Sequence, residues 1–450
     1  MNRRQLPAFA AHGFLHWMLP LMLGVVAATV LLSGRDLSQM FEELAKGTET
    51  VPAAQAWLQR LVSLLLLLIS AERLVDHFAN HKPLPAPVLA WALVAYWVGT
   101  VGLPAVFGSH PRVSHDYVYS LVIGLAALLA TEADRERVLA AVRTALFSFM
   151  LASVLLVLVK PRLVLDLSYD QGLLPGVPRF GGLAPHPVAL GLFAQAFLLC
   201  LWASPFARRW LNVFAWVLGL GVLFFAQSKT AWIAFVLCSI AMIAVRDGAR
   251  IWRRMSDPRE GTFGIVMCVA FMLVVAALLG LLLFSDLPDK LSDFGDTGEG
   301  AQLMTMTGRD QIWAIALQVW HASPIFGYGP TLWDDDFRAS IGMPNATSGH
   351  NQFMDTLARS GSIGAATLVV YAVVLLVLSL RAARRTRGLS LALFIALALR
   401  SVSEVPLILL GYGTELLTHL LLIITLASAS VPRLVPSPAP SREPPLQAAT

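Results

Sequence analysis

The sequence is poor in charged residues. Aspartate, glutamate, lysine and arginine together make up 14% of its 450 residues, against about 25% in an ordinary soluble domain. Hydrophobic residues make up 57%, and several apolar runs reach the roughly 20 residues that a helix needs to cross a bilayer. The composition excludes a soluble globular protein and predicts an all-helical protein with many membrane spans.

Cysteine is also scarce, and the usual motifs of metal and nucleotide sites are missing. Cys200, Cys238 and Cys268 lie in apolar runs, without the spacing of metal ligands. They predict small buried apolar side chains rather than a disulfide framework. The sequence has no Gly-rich phosphate loop, no HExxH and no CxxC. We therefore expect no metal and no cofactor.

Basic residues outnumber acidic ones, which gives a formal net charge of +5. The lysines and arginines cluster in short segments between the apolar runs. Membrane proteins carry such clusters in their cytoplasmic loops. The charge therefore indicates membrane topology, and we expect no nucleic-acid partner.

Twelve spans are predicted, with both termini in the cytoplasm. Their approximate ranges are 13–33, 57–75, 86–107, 117–131, 138–159, 186–205, 210–226, 230–246, 262–284, 360–380, 388–410 and 413–429. This arrangement puts the arginine clusters between spans on the cytoplasmic side. The chain then divides into nine spans with short loops over 1–284, a long helical external lid over 285–359, three spans over 360–430 and a disordered cytoplasmic tail over 431–450.

Basic residues are exceptional in the predicted external loops, so Arg179 and Lys229 are candidate ligand groups. Arg179 begins the run Arg-Phe-Gly-Gly, in which the paired glycines let backbone approach a ligand and the guanidinium can fork onto phosphate oxygens. Lys229 lies in a short turn between two spans, near the level of lipid phosphates. Two simpler interpretations stay open: Arg179 anchors a turn to lipid headgroups, and Lys229 snorkels from a helix end.

Arg309 lies at a predicted helix start. Thr307 is a candidate N-cap, apolar residues follow at helical spacing from 312 to 320, and Pro324 ends the pattern. A helix N-terminus presents unpaired N–H groups, and Arg309 adds a full positive charge beside them. The pattern predicts an anion site, with a salt bridge to Asp310 or its neighbours as the alternative.

His350 is the strongest candidate for proton transfer, because imidazole exchanges protons near neutral pH. We predict that it lies in the first turn of a helix over 349–359, with Ser348 as a cap and Gly361 as the end. Asp355 is too far round that helix to orient the imidazole. A hydrogen-bonded structural histidine is the alternative.

Arg400 and Glu404 lie one helical turn apart inside a predicted span. Charged residues within a span are costly and are usually paired or functional. The i, i+4 spacing predicts a structural ion pair between these two side chains. A role at the inner wall of a site is the alternative.

These motifs, taken in order, resemble the bacterial O-antigen ligase family. The set comprises Arg179-Phe-Gly-Gly with a following Pro-His-Pro, Ser228-Lys229-Thr230, Gly308-Arg309 leading to Gly327-Tyr-Gly, and His350-Asn351, with a long external loop late in the chain. O-antigen polymerases and protein O-oligosaccharyltransferases are relatives in that family. The resemblance is strongest over roughly 175–375.

The resemblance implies a GT-C-like glycosyltransferase in the bacterial inner membrane. Such an enzyme moves a glycan from undecaprenyl pyrophosphate to the sugar core of lipid A at the periplasmic face, with inversion and without nucleotide or divalent metal. Arg179, Lys229 and Arg309 would then bind the pyrophosphate, His350 would be the general base, and Asn351 would orient the sugar. The spans would form a lipid-open groove for the polyprenyl chain.

Two further functions are compatible with this composition. An O-antigen polymerase or a protein O-oligosaccharyltransferase would differ only in acceptor. A polytopic lipid or glycan transporter would need charged sites near the midplane and two related halves. The candidate residues are mostly external and the sequence shows no internal repeat, so an enzyme is favoured.

Overall fold

The computed structural model describes residues 14–39, 53–168, 176–256, 309–344 and 346–430. These segments are mostly helical. The helices are α1 (Met18–Ser33), α2 (Ala53–Ala79), α3 (Pro87–Trp97), α4 (Leu103–Phe107), α5 (Tyr117–Ala127), α6 (Glu132–Val159), α7 (Pro161–Val164), α8 (Pro187–Ala203), α9 (Arg209–Phe225), α10 (Lys229–Ser256), α11 (Arg309–Ala322), α12 (Asp335–Ser340), α13 (Gln352–Ala382), α14 (Leu389–Ser403) and α15 (Leu416–Ser430). A 3₁₀ turn, Phe14–Trp17, precedes α1, and a π turn, Val98–Gly102, joins α3 to α4.

The mostly helical fold also contains a short β-ladder that the sequence analysis did not predict. Strands β1 (Leu165–Asp166) and β2 (Arg179–Phe180) form a short antiparallel ladder that pairs Asp166 with Arg179. The strands cannot be read from hydrophobic periodicity, because each is only two residues long. Their consequence is local: the ladder fixes where the Arg-Phe-Gly-Gly run begins.

Within the described segments, five helices are long and apolar enough to cross a membrane: Phe14–Ser33, Pro87–Phe107, Glu132–Val159, Lys229–Arg254 and Gln352–Ala382. Five shorter apolar helices accompany them, Tyr117–Ala127, Pro187–Ala203, Arg209–Phe225, Leu389–Ser403 and Leu416–Ser430. Large apolar side chains are exposed on the outer helix faces, as at Leu158 and Val217, which is the surface that lipid covers. The protein is a multi-pass membrane protein, and the count of twelve spans stays a prediction.

Several predicted features lie outside the described residues. They are the span 262–284, the first part of the lid over 285–308 with the cap at Thr307, Cys268, and the tail 431–450. The other two cysteines, Cys200 and Cys238, are fully buried. Their prediction as small buried side chains is confirmed.

The centre of the molecule is formed by α8 and α15, whose side chains are buried almost from end to end. Both helices are apolar all round, which is why they fit at the centre rather than at the lipid surface. A separate small core lies under the lid, where α11 and α12 pack through Ile312, Trp333 and Phe337. The lid therefore has its own apolar support.

A strap over 323–332 ties the lid to a break in α13. The amide of Tyr328 donates to the carbonyl of Ala358 at 2.9 Å, and that of Gly329 donates to the carbonyl of Arg359 at 3.0 Å. Gly361 interrupts the helix there, with φ 64° and ψ −165°. The predicted end of the helix at Gly361 is confirmed as this break, beyond which the apolar span continues.

Replacement of Gly361 by alanine should destabilise the protein by about 2–6 kcal/mol. Its positive φ combined with an extended ψ is nearly restricted to glycine and costs another residue about 1–3 kcal/mol, and overpacking adds about 1–3 kcal/mol, because the Cβ of alanine would collide with the carbonyl of Ile325. Gly342 also has a positive φ, +67°, with nothing within 4 Å of its Cβ position, so Gly342→Ala carries a positive-φ cost without a collision. Thermal unfolding of both variants in detergent measures the difference, and equal losses would rule out the close approach at Gly361.

Candidate active site

His350 lies just before a helix and not within its first turn. Asn351 is the N-cap of α13, and its side-chain oxygen accepts from the amides of Phe353 at 3.0 Å and Met354 at 3.1 Å. The predicted helix start at 349 and the cap at Ser348 are therefore wrong. His350 has a φ of 45°, a left-handed conformation that is uncommon outside glycine and clusters at functional sites.

The backbone before His350 is held by a buried carboxylate. Asp355 accepts from the amide of Gly349 at 2.9 Å and from the indole N–H of Trp333 at 2.8 Å. Its other oxygen accepts from Nε of Arg359 at 3.1 Å. Asp355 thus does not touch the imidazole, as expected from its place on the helix, but it fixes the loop that carries the imidazole.

The imidazole of His350 faces Glu404. Nδ1 lies 3.5 Å from Oε2 of that carboxylate, an ion-pair distance that is long for a hydrogen bond. Nη2 of Arg309 lies 4.0 Å from the other carboxylate oxygen. One carboxylate thus joins the two strongest candidates from the lid.

The predicted ion pair between Arg400 and Glu404 is wrong. Helix α14 ends at Ser403, and Glu404 follows as an extended C-cap with φ −148°, so the i, i+4 geometry does not exist. Arg400 pairs instead with Glu415, next to the start of α15. Pro406 is the sequence signal for this, because a helix usually ends at or before the residue that precedes a proline.

Neighbouring charges keep Glu404 ionised. Burial raises the pKa of this carboxyl, but the contact with His350 and the charges of His350, Arg400 and Arg309 together outweigh burial, so the net pKa is lowered. A carboxylate facing Nδ1 favours the tautomer that carries its proton there. Nε2 is then the nitrogen that can accept a proton.

Arg179 and Lys229 reach the same region from the other side. Nε of Arg179 donates to the carbonyl of Ala226 at 3.1 Å, which joins strand β2 to the turn before α10. Thr230, the second residue of α10, has its hydroxyl 3.5 Å from that of Ser403, next to Glu404. Lys229 is exposed, and none of the described side chains forms an ion pair with it.

Arg35 is a functional candidate that the sequence analysis missed. Its Nη2 donates to the carbonyls of Gly182 at 3.2 Å and Ala184 at 2.7 Å, so it staples the paired-glycine loop. Burial lowers the pKa of Arg35 to about 10, which leaves it a cation at neutral pH. Arg35 lies in a predicted external loop, where basic residues are rare. That rarity is the sequence signal that identifies Arg35 as a candidate.

His186 closes the site from the start of α8. Its Nδ1 accepts from the amide of Val188 at 3.2 Å, so His186 is the N-cap of α8. Burial, the charge of Arg179 and weaker charges lower its pKa to about 4, and the charge of Glu404 opposes them. The charges of Arg179, Glu404 and His350 thus all act on His186, and we group these four residues as one cluster.

The cluster unites a base, a carboxylate and several cations. Within the described ranges, no group of three or more His, Cys, Asp or Glu side chains could hold a metal ion. Arginines can bind an anion bidentately, and an imidazole backed by a carboxylate can accept a proton from a hydroxyl. The arrangement suits a displacement in which an anionic group leaves.

Residues 214–369 match the family model described as O-antigen ligase. This part of the chain is therefore similar to the O-antigen ligase family. The match confirms the resemblance and includes Lys229, Arg309 and His350, whereas Arg179 and Glu404 lie on either side of it. At a coarse level, the chain is a glycosyltransferase-type enzyme of the ligase and polymerase kind. None of the curated proteins matches the chain.

Acid should destabilise the folded protein through His186. Its pKa is about 4 in the folded protein, against an ordinary value of 6.5, so the unfolded chain binds the proton more tightly, and stability falls as pH drops from about 6.5 to 4. Between pH 7 and pH 5 this loss is roughly 2 kcal/mol. His186→Asn keeps a capping side chain that does not titrate.

The unfolding temperature of the His186→Asn variant should therefore drop less between pH 7 and pH 5 than that of the unmodified protein. A third protein, His321→Ala, removes an exposed histidine of the lid and should follow the unmodified protein. Identical acid-induced shifts in all three would show that His186 does not carry the effect.

Proposed function

We propose that the protein is a lipopolysaccharide O-antigen ligase. It transfers a glycan from undecaprenyl pyrophosphate to a sugar of the lipid A core at the periplasmic face of the bacterial inner membrane, with inversion and without a metal. The observation that supports this most is the meeting of His350, Glu404 and Arg309 at one end of the helices. The proposed topology places this end outside and both chain termini in the cytoplasm.

His350 is the general base of this reaction. Glu404 holds Nδ1, and Nε2 takes the proton from the acceptor hydroxyl. The hydroxyl oxygen then forms a bond to the anomeric carbon of the donor sugar, while the bond from that carbon to the pyrophosphate oxygen breaks. Attack from the face opposite the leaving group inverts the anomeric configuration.

The cations stabilise the departing pyrophosphate. Arg179, Lys229 and Arg309 supply positive charge where negative charge develops. At 4.0 Å from Glu404, Arg309 makes a loose contact, and a pyrophosphate with more negative charge can draw it away. The bond from Arg179 to Ala226 orients that guanidinium beforehand.

Asn351 and Arg400 have supporting roles. Asn351 caps α13, and its Nδ2 donates to the carbonyl of Val402 at 3.3 Å, so it holds the His350 loop against the end of α14. We assign it this positioning role in preference to direct contact with the sugar. Arg400 helps to keep Glu404 ionised through its charge.

Two alternative functions differ from that of a ligase, one in its acceptor and the other in the position of its charged site. An O-antigen polymerase or a protein O-oligosaccharyltransferase would use the same donor and base with another acceptor. A lipid or glycan transporter would place its charged site near the middle of the spans. Here Arg309 begins α11 and Glu404 follows the end of α14, and this position at helix ends favours an enzyme.

Purified protein should transfer glycan from undecaprenyl pyrophosphate to lipid A core. Three acceptors compared at equal concentration separate the family members: lipid A core, a lipid-linked repeat unit and an acceptor peptide. Product on lipid A core supports the ligase. Product only on the repeat unit indicates a polymerase, product only on the peptide indicates a protein glycosyltransferase, and no product with any acceptor contradicts the enzyme.

His350→Ala should lower transfer roughly 10²–10⁴-fold, the usual range for removing a general base. Donor binding should persist, because the arginines hold the pyrophosphate. Turnover and donor binding are measured on the same purified protein, with Arg309→Ala as the converse variant that loses donor binding. Near-native turnover by folded His350→Ala would refute the mechanism.

Glu404→Gln should lower kcat roughly 10- to 100-fold, less than loss of the base itself. The change removes the carboxylate charge that orients the imidazole of His350. It also frees Arg309 from its contact with Glu404, so the KM for donor should stay unchanged or fall. Glu404→Asp keeps the charge and should retain more activity than the glutamine variant. Equal activity of the aspartate and glutamine variants would mean that the charge of Glu404 has no part in positioning His350.

A further inference from the structure

A cavity of about 1590 Å³ lies beside the candidate active site. Its walls are α1, α2, the start of α5 and the loop 410–414. Its volume exceeds the roughly 300–1,000 Å³ of pockets for small molecules. None of Arg179, Lys229, Arg309 and His350 lines it, so it is a space separate from the pyrophosphate clamp.

The inner part of the cavity is apolar and deep. Along α1 its lining runs from Ser33 down to Met22, and Val26 and Leu64 face the same space. Met22 and Ser33 are eleven helical steps apart, which span about 16 Å, and one leaflet of the hydrocarbon core is about 15 Å thick. The cavity thus has the depth of acyl chains that belong to a single leaflet.

Charged side chains line the mouth of the cavity. Among the described residues they are Arg35, Arg60, His115 and Asp116, and His115 lies 3.2 Å from the carboxylate of Asp116. The described lining thus carries two arginines and one aspartate. This charge favours an anionic head group.

Tyr412 shapes the same mouth. Its hydroxyl donates to the carbonyl of Gln59 at 2.8 Å and accepts from the hydroxyl of Ser63 at 3.0 Å. The loop 410–414 is thereby fastened to α2. An aromatic ring among hydroxyl and amide groups is a surface that suits a sugar.

The mouth opens next to the catalytic cluster. Pro185 lines the cavity and directly precedes His186, which feels the charges of Arg179, Glu404 and His350. Thr414 lines it too, and its hydroxyl donates to Glu415 at 3.3 Å. The cavity therefore lies next to residues that adjoin the cluster.

We propose that this cavity binds the acceptor, an amphiphile with acyl chains and an anionic, sugar-bearing head group. The inference rests on the proposed function. The cations proposed to bind the donor, Arg179, Lys229 and Arg309, lie on β2, α10 and α11. A second set of arginines, above an apolar space as deep as one leaflet, therefore fits the second substrate. The two substrates then approach His350 from different walls.

Two substitutions test the two halves of the cavity. Val26→Trp fills the apolar part, and Arg60→Glu reverses the charge at the mouth, where Arg60 is exposed. Matched controls make the same changes outside the cavity, at Val373, which is 52% exposed, and at Arg162, which is exposed. Transfer is measured with undecaprenyl-pyrophosphate glycan as donor and with lipid A core, its dephosphorylated form or its delipidated oligosaccharide as acceptor.

Each cavity variant should raise the KM for lipid A core at least about 10-fold and leave the KM for donor unchanged. Arg60→Glu should have little effect with the dephosphorylated acceptor, and Val26→Trp should have little effect with the delipidated one. Both controls should match the unmodified enzyme. A raised KM for donor, alone or with that for acceptor, would assign the cavity to the donor and overturn the inference, as would no change in either KM.

Failure of the proposed function gives a different result. In that case the unmodified enzyme transfers nothing to lipid A core. Direct binding of lipid A core to the unmodified protein and to Val26→Trp then tests the cavity by itself. Equal affinity of the two proteins would overturn the inference, and weaker binding by the variant would support it.

Discussion

The geometry around His350 depends on the buried ion pair between Asp355 and Arg359. Both side chains are almost inaccessible, at 2% and 6% exposed, so each needs the other to offset the loss of water. The carboxylate also holds Gly349 and Trp333, and Nη1 of the guanidinium donates to the carbonyls of Pro330 at 2.8 Å and Leu332 at 3.0 Å. Loss of one partner from such a pair costs about 3–5 kcal/mol, and here it would also release the lid from α13.

Short sequence patterns predicted the helices and helix breaks that are determined by residues close together in the sequence. Helix α11 follows the apolar spacing from Ile312 and stops before Pro324, as expected. The break at Gly361 was expected for the same kind of reason, because glycine accepts a positive φ. The start of α13 was misplaced by a few residues, since Ser348 and Asn351 are both good caps and only tertiary contacts choose between them.

The partners of charged residues could not be predicted in the same way. The spacing of Arg400 and Glu404 suggested a pair, but the helix ends before Glu404, and Glu415 arrives from another part of the chain. Arg35 reaches carbonyls about 150 positions away. Such contacts depend on how helices pack, and no single-sequence pattern encodes them. The residue types of the site were predictable, whereas their pairing was not.

The π turn Val98–Gly102 sets a rotational register for the chain that follows it. A π turn is in effect one residue inserted into an α-helix, and one residue corresponds to about 100° about the helix axis. The hydroxyl of Ser360 donates to the carbonyl of Thr100 at 2.8 Å, and the amide of His110 donates to the carbonyl of Tyr328 at 2.7 Å. A shortened turn would rotate the segment around His110 away from the strap, so the length of this helix, and not only its composition, helps to aim the lid.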